Sequence, residues 1–233
     1  MAYRYCASGT LEVSPRYLER VCSILSSKSI RYVREGNTIR IEHDEKASEP
    51  ARQRHEEAFS DLARYIDKPQ ALTVYSELLG ESEVGFVEGR VRTDKVEKVW
   101  ATHGDPPTPD TLLEALRGRG IAATSVLLRG SRKSGRRYRV FEIRPGSGGP
   151  GCRVSVKRRF WDSYDLLSVP EIYKPLCAKY HLTPAQLRHD LHEAKFGLEV
   201  RNPALRNSST DMLFENLLEV IEELTDGIRT ELG

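Results

Sequence analysis

The segment IRYVREGNTIRIE, residues 30–42, decides the fold of the first part of the chain. Apolar and polar residues alternate on both sides of Gly36-Asn37, as they do in strands with one buried face. A Gly/Asn dipeptide between two such runs is typical of a two-residue turn, because both residues tolerate a positive φ. The segment therefore predicts a β-hairpin formed by residues 30–34 and 38–42.

Helical patterns lie on both sides of this hairpin. Upstream, residues 3–13 have the pattern of a strand, and Ser14-Pro15 then supplies an N-cap and a first-turn proline for a helix. Downstream, residues 50–66 have apolar residues at helical spacing, and residues 72–79 form another strand pattern. The order β-α-β-β-α-β predicts a ferredoxin-like antiparallel sheet with two helices on one face. The predicted buried side of the second helix is Ala51, Ala58, Phe59, Leu62, Ala63 and Ile66.

The remaining strand and helix patterns complete a prediction of an α+β fold. Strands at 84–92 and 95–102 are expected to extend the first sheet, and a Gly/Pro cluster at 104–109 marks a boundary. The predicted regions are a ferredoxin-like domain over 1–103, a helix with a basic three-stranded sheet over 104–161, and a helical region over 162–233. In the second region the strands are at 123–131, 136–144 and 152–160. In the third, helices are predicted at 170–180, 184–195 and from Ser208-Ser209-Thr210 onward.

The composition is that of a soluble globular protein. The chain has 233 residues, 39% of them hydrophobic and 30% charged, with a formal net charge of +2. No apolar run approaches the length that crosses a bilayer, and Met1 is not followed by a signal sequence, so a cytoplasmic protein without membrane contact is expected. The four cysteines form no C-x-x-C pair, which predicts reduced and mostly buried thiols. No motif predicts a cofactor.

The strongest functional signal is the basic stretch RGSRKSGRRYRVFEIRPGSGGPGCRVSVKRRFW, residues 129–161. Between Glu114 and Asp162, thirteen Lys and Arg residues stand against the single acidic residue Glu142, a net charge of +12 in a chain whose total is +2. Cations at this density repel one another unless an anionic partner neutralises them. Aromatic residues among the cations are suited to stacking on the bases of a single strand.

This stretch predicts a nucleic-acid-binding protein, with RNA or single-stranded DNA favoured, that acts within a larger assembly. No complete catalytic motif accompanies it, so an enzyme is not expected. The candidate nucleic-acid-binding residues are Arg129, Arg132, Lys133, Arg136, Arg137, Tyr138, Arg139, Arg153, Lys157, Arg158, Arg159 and Trp161. The glycine-rich segment 146–151 is either an anion cradle between basic strands or a flexible connection.

Two alternatives remain open. The segment RHDLHEAKFG, residues 188–197, resembles the His-Asp step of HD-type phosphohydrolases, and the resemblance implies that His189 and Asp190 bind a divalent metal in a metal-dependent phosphohydrolase or nuclease. Alternatively, the basic patch binds an acidic protein surface, as in an interaction or inhibitor protein. That acidic surface could be the chain's own last helix. The helix pair 170–195 also has the pattern of a helix-turn-helix, with Ala185, Gln186, Arg188 and His189 leading its second helix.

Overall fold

The chain forms two compact units. The computed structural model describes residues 4–76, 80–101, 103–128, 140–157 and 170–232. Unit 1 comprises Met1–Asp94 with Pro203–Leu205, and unit 2 comprises Lys95–Asn202 with Arg206–Gly233. The division falls upstream of the Gly/Pro cluster that begins at Gly104. None of the helices in the described ranges is long and apolar enough to cross a membrane.

Unit 1 contains one six-stranded antiparallel sheet, sheet A, with the strand order β2-β3-β1-β4-β5-β6. Its first four strands have the order of a ferredoxin-like sheet, as predicted, and a hairpin of two strands extends the edge at β4. All six residues predicted for the buried side of the second helix are buried, although Ile66 lies beyond the end of α2, and the apolar side of α1 is buried with them. The elements are β1 (Arg4–Glu12), a 3-10 turn (Pro15–Tyr17), α1 (Leu18–Ser27), β2 (Tyr32–Glu35), β3 (Thr38–Lys46), α2 (Glu49–Ala63), β4 (Gln70–Ser76), β5 (Gly80–Val87) and β6 (Arg90–Thr93).

Strand β3 is longer than the predicted run over 38–42, because its pairing with β1 continues to Lys46. Side chains alternate between the faces of a strand, so His43 and Glu45 continue the inward-facing series that begins with the buried Ile39 and Ile41. The core face of β3 thus changes from aliphatic to ionisable side chains towards the end of the strand.

Unit 2 contains the second antiparallel sheet, sheet B, with the strand order β12-β7-β11-β10-β9-β8. Four of these strands, β12-β7-β11-β10, repeat the strand order of the ferredoxin-like part of unit 1. The elements are β7 (Lys95–Ala101), α3 (Pro109–Gly118), β8 (Ala123–Leu128), β9 (Val140–Pro145), β10 (Cys152–Lys157), α4 (Pro170–Tyr180), α5 (Pro184–His192), β11 (Phe196–Asn202), α6 (Ser208–Thr225) and β12 (Ile228–Leu232).

The prediction that residues 95–102 extend the first sheet is wrong. These residues form β7, which lies between β12 and β11 in sheet B and is covered on both faces. Val99 faces the core beneath α3 and α6, whereas Trp100 packs with α4 and α5 on the opposite face. A strand that is buried on both faces is typical of the interior of a sheet, whereas an extension of sheet A would have been an edge strand.

The C-terminal part contains the three predicted helices and two strands, β11 and β12, that the sequence pattern did not predict. Thr183 and Gln186 form the predicted capping box of α5, which ends at His192 instead of residue 195. Helix α6 is capped one residue earlier than predicted, by the Asn207 side chain, which accepts a hydrogen bond from the Thr210 amide at 2.9 Å.

A buried ion network links β7 and β12, the first and last strands of unit 2 in sequence. Glu97 on β7 is fully buried, and it pairs with the Lys95 ammonium at 2.7 Å and with the Arg229 guanidinium on β12. Arg229 also donates to Glu215 of α6 at 2.7 Å. Burial alone would lower the pKa of Arg229, but its hydrogen bonds to Glu97 and Glu215 more than offset this, so that the pKa lies above its usual value.

Replacing Arg229 tests how strongly unit 2 depends on this network. We expect Arg229→Met to lower the free energy of unfolding by about 3 kcal/mol, because it leaves the Glu97 carboxylate buried without its main partner. Arg119→Met is the matched control: Arg119 pairs with Glu219 and Glu223 at a more exposed site, where the loss is about 0.5 kcal/mol. Urea unfolding of both variants measures the two losses of stability. Equal losses would contradict the expectation that the buried network stabilises unit 2 more than the exposed ion pairs of Arg119.

The thiol of Cys152 gives a pH-dependent prediction. All four cysteines are free, and Cys22 and Cys152 are buried. Burial, followed by the negative charges of Asp211 and Glu142, raises the pKa of Cys152 to about 12. In the unfolded chain this thiol ionises near pH 8.5, so the folded state loses stability as the pH rises above that value.

We therefore expect the stability difference between the wild type and Cys152→Ala to shrink by about 1 kcal/mol between pH 8.5 and 9.5, because the variant lacks this ionisation. Other titrating groups contribute equally to both proteins. Denaturant unfolding at several pH values measures the difference, and parallel stability curves would show that Cys152 ionises as readily when folded.

Candidate nucleic-acid interface

The face of sheet B that points away from α3 and α6 is lined by cations. Alternate residues of the strands, such as Val99, Val154 and Val200, point into the core beneath these helices. Their sequence neighbours therefore point to the opposite side. This side carries the five cationic residues that we call the basic face: Lys98, Arg144, Arg153, Lys157 and Arg201.

The strand register brings these cations from four strands together. Arg153 on β10 lies opposite Arg201 on β11 and opposite Glu142 on β9. Glu199 on β11 lies opposite Lys98 on β7. Like charges directly opposite one another are unfavourable, and the carboxylates Glu142 and Glu199 lie beside the Arg153–Arg201 pair.

Glu199 is the centre of the charge arrangement on the basic face. Its carboxylate lies 3.2 Å from the Lys157 ammonium, 3.8 Å from the Lys98 ammonium and 4.0 Å from the Arg201 guanidinium. A single carboxylate therefore neutralises one of three cations. Glu142, which pairs with Arg144 at 2.6 Å, is the second carboxylate on this side of the sheet.

The cations of the basic face differ in depth. The solvent-exposed fraction of the side chain is only 9% for Lys98 and 14% for Arg201. It is 39% for Lys157 and 49% for Arg144, and Arg153 is exposed. The deeper cations lie around Glu199, and the outer ones reach solvent. Outer cations that sit on paired strands are held at fixed spacing, which is what a repeated phosphate backbone requires.

Of the predicted binding residues, Arg153 and Lys157 are on the basic face. The other predicted residues lie outside the described part of the chain: Arg129, Arg132, Lys133, Arg136, Arg137, Tyr138, Arg139, Arg158, Arg159 and Trp161. Three described residues adjoin the undescribed segments and lie at the same end of sheet B: Leu128, Val140 and Lys157. Val140 is opposite Leu128 on one side and opposite Ser155, two residues before Lys157, on the other. Lys98 and Arg201 were missed because they lie far from the basic stretch in sequence.

The acidic side of α6 is occupied by cations of unit 2. Glu219 and Glu223 both pair with Arg119, and Glu222 accepts from Lys179 at 2.7 Å. Glu215 is bound by Lys95 and Arg229. Thirteen cations lie between Glu114 and Asp162. One of them, Arg119, pairs with α6, whereas Arg144 and Lys157 pair with carboxylates on the sheet. The helix is thus already engaged by other partners.

The glycine-rich segment 146–151 is a packed connection between β9 and β10. The Gly146 amide donates to the Ala122 carbonyl at 2.7 Å, and the Thr210 hydroxyl donates to the Pro150 carbonyl at 2.9 Å. A Cβ atom on Gly149 would lie 2.7 Å from the Asn207 side chain, and Gly149 has φ +117°. These contacts fix the segment against the start of α6, and they assign it a structural role.

The helix pair α4 and α5 packs on sheet B through Leu187 and Leu191. The four residues proposed to lead a recognition helix, Ala185, Gln186, Arg188 and His189, are exposed. His192 is also exposed and lies 3.6 Å from the carboxylate of its neighbour Glu193. Among the described residues, the implied metal ligands His189 and Asp190 belong to no group of converging His, Cys, Asp or Glu donors.

Such a group does exist in unit 1, and the sequence pattern did not reveal it. His43, Glu45 and His55 each offer a donor atom within 4.8 Å of the others. His43 and Glu45 come from β3 and His55 from α2, where its ring is 99% buried between Tyr5 and Phe59, with centroid distances of 4.6 and 5.9 Å. The signal available in the sequence was the His-x-Glu alternation at the end of β3, but nothing local linked it to His55.

The sequence matches no protein-family model, and no curated protein matches it. One solved structure, described as a “putative glycine cleavage system transcriptional repressor”, aligns with 99% of this chain and 96% of its own length. The sequence identity is 8% and the TM-score 0.21. Because a TM-score this low does not indicate a shared fold, the match has no bearing on function.

Proposed function

We propose that this protein binds nucleic acid, RNA or single-stranded DNA, through the basic stretch 129–161 together with the basic face of sheet B. The observation that supports the proposal best is that Arg153 and Lys157 of the stretch share one sheet face with Lys98, Arg144 and Arg201. Five cations and two carboxylates leave this face positive. The cationic surface therefore extends beyond the residues that the sequence identified.

The surroundings of the face favour a flexible, single-stranded ligand. The cations project from paired strands, which hold them at regular spacing on the side of the sheet where α4 and α5 pack around Trp100. Tyr138 and Trp161 of the basic stretch supply aromatic rings for stacking on unpaired bases. The acidic residues of α6 pair with cations on other elements of unit 2, such as Lys95, Arg119 and Arg229.

Charge reversal in the basic stretch tests the proposal directly. We expect the wild type to bind a fluorescent single-stranded 20-mer at low salt and to lose affinity steeply as salt is added, since each phosphate contact releases counterions. A triple variant should bind the oligonucleotide at least about tenfold more weakly; it combines Arg132→Glu, Arg136→Glu and Arg137→Glu. Fluorescence anisotropy with RNA and with DNA measures both effects. Absence of binding to either oligonucleotide at low salt would overturn the proposal.

Charge neutralisation on the basic face tests the contribution of sheet B. We expect the double variant Arg153→Gln and Lys157→Gln to reduce the slope of log K against log salt by about 1.4, because two contacts of about 0.7 each are lost. Its control is Arg20→Gln with Arg64→Gln, which removes two exposed cations from unit 1. Both proteins lose the same net charge, so equal slopes in the two variants would show that the basic face makes no direct contact.

A further inference from the structure

The cluster of His43, Glu45 and His55 brings three buried polar atoms together in one small region. Among the described residues, His55 Nε2 has no hydrogen-bond partner, and His43 Nε2 and Glu45 Oε1 lie 3.3 Å apart without forming a regular hydrogen bond. Buried polar atoms are nearly always satisfied by a protein group, an ordered water or an ion. Three such atoms on neighbouring side chains therefore indicate a bound species that interacts with all of them.

The chemistry of the donors selects among the candidate species. Two imidazoles and one carboxylate are the ligand set of catalytic zinc sites and of other divalent transition metals, whereas Mg²⁺ and Ca²⁺ prefer oxygen ligands alone. We propose that unit 1 binds one divalent transition-metal ion of the zinc class through His43, Glu45 and His55. The site is independent of the basic face, which belongs to unit 2.

The surroundings of Glu45 orient it as a ligand through one oxygen. Arg54 donates to Glu45 Oε2 at 2.5 Å, which holds the carboxylate in place and leaves Oε1 turned towards the histidines. Oε1 lies 3.3 Å from His43 Nε2 and 3.5 Å from His55 Nδ1. Two ligands of a tetrahedral zinc ion, with bonds of about 2.0–2.2 Å, are about 3.4 Å apart, so this pair already has the required separation.

His55 is prepared to bind a cation through its second nitrogen. Its Nδ1 lies 2.7 Å from the Ala51 carbonyl, which can only accept, so Nδ1 carries the proton and Nε2 has the lone pair. Metal-bound histidines are commonly fixed by this type of bond to a backbone carbonyl. Burial, the largest effect, lowers the pKa of His55 and favours the neutral ring that a metal requires.

His43 must change its tautomer when the ion binds. The Arg31 amide donates to His43 Nδ1 at 3.0 Å, so in the metal-free protein the proton of the neutral ring is on Nε2. Coordination through Nε2 displaces that proton, and Nδ1 takes one up, so the number of protons on the ring is unchanged. The hydrogen bond from the exposed Arg31 amide is then replaced by one to water.

The test is a titration of the chelator-treated full chain with ZnCl2, followed by isothermal calorimetry and by the melting temperature. We expect one zinc ion per chain and a higher melting temperature with zinc. Glu45→Gln should reduce the affinity at least tenfold, and His43→Asn with His55→Gln should abolish stoichiometric binding. Glu45 is at the surface end of the cluster, so its variant keeps the test valid if the buried His55→Gln protein does not fold.

The matched control is His189→Asn with His192→Asn, which removes two exposed histidines spaced three apart on α5 and should leave zinc binding unchanged. NMR of the histidine ring nitrogens and of the Arg31 amide gives a second readout: zinc should move the His43 proton from Nε2 to Nδ1 and shift the Arg31 amide signal. The proposal fails if the wild type binds no zinc in stoichiometric amount, if Glu45→Gln binds it equally well, or if the control loses binding.

Discussion

The burial of Glu97 on β7, an interior strand of sheet B, is the constraint around which the C-terminal part of the chain is arranged. A carboxylate without access to water is unfavourable unless cations and hydrogen bonds replace its hydration. Lys95 on the same strand and Arg229 on β12 provide that replacement. Arg229 lies beyond α6 in sequence, so the carboxylate is satisfied only when the last strand has joined the sheet beside β7.

This requirement also determines how the acidic residues of α6 are used. Arg229 brings Glu215 into the network, and Lys179 and Tyr180 of α4 both donate to Glu222. Arg119 engages two further glutamates of the same helix. The helix is therefore bound by cations from α3, α4 and the strands β7 and β12. On the opposite side of the sheet, the described strands carry five cations and the two carboxylates Glu199 and Glu142, and this excess gives the basic face its positive character.

The two units share a strand order but differ in what their sheets carry. In unit 1 the end of β3 and the first half of α2 bring ionisable side chains inward, where His43, Glu45 and His55 converge. In unit 2 the ionisable side chains of the central strands point away from α3 and α6, except for Glu97 and its partners. The proposed metal site and the proposed nucleic-acid surface thus use opposite faces of similarly ordered sheets.

The sequence by itself determined the features that depend on neighbouring residues. Local periodicity and capping act within a few residues, and four features follow from them. These are the turn at Gly36-Asn37, the buried side of α2, the capping box of Thr183 and Gln186, and the β-α-β-β-α-β order. The basic stretch was likewise visible as a run of charges. These features were sufficient for the fold class, and the charges led to the proposal of a nucleic-acid partner.

Tertiary structure alone decided which strands pair and which side chains meet. Nothing near β7 specified that it joins β11 and β12, because the choice depends on burying Val99 and Trp100 on opposite faces. Lys98 and Arg201 joined the basic face through strand register, and His55 met His43 and Glu45 only because α2 packs across the end of β3. Such contacts are between residues distant in sequence, and local patterns carry no information about them.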